Sequence, residues 1–77
     1  MNEKEFYKRL SLNLKSTRKA KAMTQEKFAL LLNIGFYYYQ RIEAVNTKQT
    51  ISINLLLKIC ETLEIEITEL IKEPINN

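Results

Sequence analysis

Residues 23–43 read MTQEKFALLLNIGFYYYQRIE, and this stretch decides the fold. Thr24 has the hydroxyl of a helix N-cap. Behind it Phe28, Ala29 and Leu32 recur on one helical face. Asn33 tolerates the left-handed backbone conformation that ends a helix, and Gly35 stands where the next N-cap belongs. A second helix follows from Phe36, and Ile34, Tyr39 and Ile42 fall on one face at helical spacing. Two helices joined by a three-residue turn cannot lie antiparallel; they cross steeply and leave one end of the second projecting.

The flanking sequence continues the helical pattern. Phe6, Leu10 and Leu14 recur every four residues, widened by Leu12 and Thr17, and predict a helix over 3–21. The polar stretch 45–51 lacks periodicity and reads as a loop. Ser52 is placed to cap a fourth helix with an apolar stripe of Ile53, Leu56, Leu57, Cys60 and Leu63, broken at Glu64. Ile65 and Ile67 anchor the next turn. Thr68 should cap a short fifth helix with Leu70 and Ile71 inward, ended by Pro74. The expectation is an all-α, compact five-helix bundle in one domain, with helices at about 3–21, 24–32, 36–44, 52–63 and 68–73.

Composition narrows the function. The 77 residues hold one Gly, one Pro, one Cys, no His and no Asp. A disulfide framework is excluded, and a metal site has almost no ligands to draw on. No apolar run reaches membrane-spanning length, and residues 1–9 alternate charges where a signal peptide would be apolar, so a cytoplasmic protein is expected. Residues 1–50 carry ten Lys and Arg against four Glu, a net +6, while 51–77 carry two against five, a net −3. Such a chain turns a cationic half toward polyanions, or simply has an unevenly charged surface. No cofactor and no small-molecule ligand is indicated.

A projecting helix fits the DNA major groove. With Phe36 as first residue of the third helix, Phe36, Tyr37, Tyr38, Gln40 and Arg41 form its outward part; Phe36, Tyr37 and Gln40 share the projecting face, and Arg41 lies beside them. Gln pairs with adenine and Arg with guanine through two hydrogen bonds, aromatic rings pack on thymine methyls, and tyrosine hydroxyls reach phosphates. Four consecutive aromatics cannot all enter a core, because a helix turns about 100° per residue; Tyr39 takes the inward place. Exposed rings need a partner, and double-stranded DNA is preferred over protein. Gln25, in the first turn of the second helix, would face a phosphate, or is simply an exposed polar residue at a helix start. In the loop after the third helix, Asn46, Thr47, Lys48 and Gln49 would lie along the backbone, with Lys48 neutralising a phosphate. Cys60 reads as a buried apolar residue.

The chain resembles the Cro/C1-type helix-turn-helix domains of phage repressors and small bacterial regulators. The likeness spans roughly Leu14 to Ile71. It rests on Thr-Gln-Glu-Lys-Phe-Ala at 24–29, Gln-Arg-Ile-Glu at 40–43 and Ser-Ile-Asn-Leu-Leu-Leu-Lys-Ile at 52–59. The resemblance implies a phosphate-facing Gln25 and a salt bridge between Arg18 and Glu43 tying the first helix to the third. The chain departs from that pattern at Asn33, where glycine is usual, at Gly35, where Ser or Thr is usual, and at Ala44-Val45, where Asn-Gly is usual.

Ile65, Ile67, Leu70, Ile71 and Ile75 exceed what one end of so small a core needs, and are assigned to a symmetric dimer contact; core packing plus a tail after Pro74 is the other reading. A two-fold dimer sets two recognition helices about one DNA turn, roughly 34 Å, apart on a palindromic operator. The leading expectation is a homodimeric, sequence-specific transcription regulator without catalytic activity: a phage-type repressor, a restriction-modification controller or an antitoxin. A protein-interaction module using the aromatic face is second. An enzyme is last, since no nucleophile–base pair or phosphate-gripping glycine loop is in view.

Overall fold

The computed structural model describes residues 1–45, 47 and 49–74. Among them are α1 (Glu3–Ala20), α2 (Gln25–Leu32), α3 (Phe36–Glu43), α4 (Ile53–Leu63) and α5 (Thr68–Ile71). The protein is all-α. Asn46, Lys48 and Ile75, to which the sequence assigns backbone and dimer contacts, lie outside the described residues.

α1, α2 and α4 each start on a polar side chain. Asn2 Oδ1 accepts from the Glu5 amide at 2.8 Å, Thr24 Oγ1 from Lys27 at 3.1 Å and Ser52 Oγ from Leu55 at 3.1 Å. These caps satisfy first-turn donors that have no partner within the helix. α3 begins at Gly35, which has extended backbone and no side chain to accept such a bond. α5 departs from expectation: its N-cap is Ile67 in the helical region, and Thr68 is its first residue and makes no cap bond.

Three helix ends are built alike. Ala22, Asn33 and Glu64 each adopt a left-handed conformation with φ of 56°, 58° and 56°. Each donates its amide three residues back, and the residue after it donates five residues back: Met23 to Arg18, Ile34 to Ala29, Ile65 to Cys60. Met23, Ile34 and Ile65 then fold onto the core. This is the Schellman arrangement with its hydrophobic contact, made without glycine.

Leu10, Leu14, Phe28, Ala29, Leu32, Tyr39, Ile42, Leu56, Ile59, Cys60, Leu63 and Leu70 form one core. α1 packs against α3 and α5, and α2 against α3 and α4. The α4 stripe is corrected by this packing. Ile53 and Leu57 are 70% and 56% exposed, and Ile59 takes the inward place. Leu70 is also corrected: it is wholly buried within the monomer and has no surface to offer a second copy. Ile67 is exposed, and Ile65 and Ile71 are half-buried.

Polar residues of α1 hold the far helices. Asn13 Nδ2 donates to the carbonyls of Leu70 at 3.0 Å and Lys72 at 2.8 Å, and Arg9 Nη1 to that of Ile71 at 3.3 Å. These bonds satisfy carbonyls at the C-terminal end of α5 that a four-residue helix cannot satisfy itself. No helix among the described residues is long and apolar enough to cross a membrane.

Candidate nucleic-acid interface

α3 is gripped at one end and free at the other. At its C-terminal end Ser11 Oγ donates to the Ile42 carbonyl at 2.8 Å, and Thr47 Oγ1 donates to that of Arg41 at 2.7 Å. In its middle, the Tyr39 ring meets Phe28 edge-on, with centroids 5.4 Å apart. Tyr39 and Ile42 are buried, as their inward positions require. Among the described residues no side-chain hydrogen bond holds the N-terminal turn, which meets the core through Tyr38.

That turn presents the expected face, with one correction. Phe36 is 43% and Tyr37 65% exposed, and Gln40 and Arg41 one turn further on are exposed too. Tyr38 is half-buried and packs against the core, so it belongs less to the front than to the flank. The roughly 100° step between successive residues accounts for this division of the rings.

Glu43 fastens α3 to α1 and α2 together. Arg18 donates from Nε to Glu43 Oε2 at 2.6 Å and from Nη2 to Oε1 at 3.0 Å. The third nitrogen, Nη1, reaches the Met23 carbonyl at 2.6 Å. The Tyr39 hydroxyl also donates to Oε2, and Gln25 Nε2 donates to Oε1 at 3.1 Å. Arg18 and Glu43 are 6% and 5% exposed, so this is a buried, bidentate pair with each oxygen doubly satisfied. Burial pushes the Glu43 carboxyl up, but the donors from Arg18, Tyr39 and Gln25 outweigh it and hold the group below its ordinary value. The same hydrogen bond from the other side raises Arg18. Burial first, then the bond to Glu43, raises Tyr39 well above the ordinary phenol range.

Gln25 therefore has a partner that its sequence position does not reveal. It is the first residue of α2 and half-buried, with one amide N–H committed to Glu43. Around it at the start of α2, Thr24, Glu26 and Lys27 are exposed. Cys60 is buried, and burial followed by the Glu66 charge raises its thiol. That is the opposite of what a reactive thiolate needs.

A family model of helix-turn-helix domains matches residues 14–70. The chain belongs to the Cro/C1-type helix-turn-helix family. No curated protein and no solved structure matches it. In this helix-turn-helix protein the matched span contains α2, the Asn33–Gly35 turn, α3 and the Glu43 network. Domains of the family bind DNA and regulate transcription, and DNA-binding regulation is the general function of the chain. α3 is the second helix of the motif, the position whose helix lies in the major groove in other helix-turn-helix proteins.

Proposed function

We propose that residues 1–77 form a single DNA-binding domain that acts as a sequence-specific transcription regulator, working as a homodimer on a palindromic operator. The observation that carries this reading is the exposed front of α3: Phe36, Tyr37, Gln40 and Arg41 stand exposed on a helix whose side-chain hydrogen bonds, among the described residues, lie at its far end. Gln40 and Arg41 read base edges, Phe36 and Tyr37 contact the groove floor, and Gln25 donates its remaining N–H to a phosphate. The net +6 of residues 1–50 supplies long-range attraction, and Lys48 adds a phosphate contact. The dimer contact falls to Ile65, Ile67 and Ile71. A phage-type repressor, a restriction-modification controller and an antitoxin all fit.

The second reading is a protein-interaction module on the same aromatic face. The exposed Phe36 ring, which has no hydrogen-bonding atom, and the capless start at Gly35 favour it. A mobility-shift titration against the DNA upstream of the chain's own reading frame, with unrelated competitor, separates the two. A retarded complex that survives competitor supports the regulator. Failure to shift any duplex at low ionic strength favours the interaction module.

A further inference from the structure

We propose that this protein reads the C5-methyl group of pyrimidines through Phe36, so that its affinity responds to whether a base in its site carries that methyl. The inference rests on the DNA-binding reading above and names what the front of α3 recognises.

Phe36 occupies the first position of α3 and is 43% exposed, outside the core cluster. A benzyl side chain neither donates nor accepts a hydrogen bond, so polar base edges offer it nothing. In the major groove the only apolar feature on a base pair is the methyl at C5 of thymine. A phenyl ring held against the groove floor gains from that methyl or gains nothing. The start of α3 is uncrowded, since a side-chain atom added at Gly35 would meet nothing within 4 Å beyond its chain neighbours, and the first turn of α3 carries no acid to repel the duplex.

The pairing along the helix sharpens this. Phe36 lies four residues before Gln40 and Tyr37 four before Arg41, so each ring sits one turn, about 6 Å along the axis, from a hydrogen-bonding side chain. Gln40 is suited to adenine. Thymine is adenine's partner and also carries the methyl, so Phe36 and Gln40 together favour A·T pairs at neighbouring steps. Cytosine methylated at C5 presents the same methyl at the same place. The ring therefore accepts 5-methylcytosine where it accepts thymine and discriminates against unmodified cytosine.

The test starts from a randomised 20-base-pair duplex pool, enriched on the full chain at low ionic strength. The recovered site is then remade with deoxyuridine for each thymine in turn, which removes the methyl and leaves the base pair intact. The expected result is a loss of about fourfold at each methyl contacted by Phe36, the ordinary value of burying one such group. Phe36→Leu keeps the discrimination and Phe36→Asn abolishes it, both variants remaining folded because the site lies outside the core. At positions tolerating thymine or cytosine, 5-methylcytosine binds like thymine. Equal affinity of the wild type for the thymine and deoxyuridine duplexes, or discrimination that survives Phe36→Asn, overturns the proposal while leaving DNA binding intact. A pool that yields no enriched sequence overturns the regulator reading itself, and this proposal with it.

Discussion

Replacing Glu43 with Gln should come close to unfolding the protein at neutral pH. The carboxylate takes two bonds from Arg18, one from Tyr39 and one from Gln25. A Gln amide has the same shape but one acceptor oxygen, and its NH2 must then face donors. Arg18 stays buried with its charge uncompensated, a loss of about 3–5 kcal/mol. A domain of this length holds only about 4–12 kcal/mol in total. At about 4–8 °C per kcal/mol, the melting temperature should fall by at least ~12 °C. Thermal circular dichroism at pH 7 measures it. A fall of under about 2 °C, less than half a kcal/mol, would show that Glu43 does not hold the fold together. The pH dependence gives an independent check. Glu43 is held below its ordinary carboxyl value of 4.5, so its contribution is complete above that value and is lost as the pH falls through the lower folded one. The wild type and Glu43→Gln should therefore differ most at neutral pH and converge in acid. The double variant Arg18→Met, Glu43→Leu removes both charges and should recover part of the loss.

Asn13→Ala removes both bonds to the end of α5 and should cost about 2 kcal/mol; hydrogen exchange should show lost protection over residues 68–72 while α2 and α3 remain protected. Glu64→Gly relieves a left-handed backbone on an exposed residue and should raise stability by about 1 kcal/mol in urea titration; a decrease would show that φ of 56° carries no strain there. Gly35→Ser supplies the missing cap oxygen in open space. It should stabilise the protein by about 0.5 kcal/mol, seen as a melt a few degrees higher.

The helices were legible because their ends are written in side chains. Thr24, Ser52 and Asn33 do at their positions what their chemistry suggests. α4 was harder, because seven of its eleven residues are apolar and two phases of a helical stripe fit equally well. Only packing against α2 chooses Ile59 over Ile53 and Leu57. Ser11 and Asn13 escaped notice for the opposite reason: an apolar count places polar residues outside, yet both are buried because each meets a bare carbonyl from another helix. Left-handed Ala22 leaves no trace in residue type. Of the interface, the exposed front of α3 follows from the helical turn alone. The pairing of Arg18 with Glu43 came from family resemblance; Tyr39 stands four residues before Glu43 on α3, the spacing at which helical side chains meet, whereas nothing in residue spacing announces Gln25. Leu70 looked surplus in a list of apolar residues and is wholly enclosed because α1 lies over α5.

The most direct test of the central claim is to titrate isotope-labelled protein with its enriched duplex and follow backbone and side-chain NMR shifts. Perturbations should concentrate on Phe36, Tyr37, Gln40, Arg41 and the side-chain amide of Gln25, leaving the acidic Glu61–Glu73 segment still except where a dimer forms. Shifts centred on that acidic segment, with the front of α3 silent, would contradict the account.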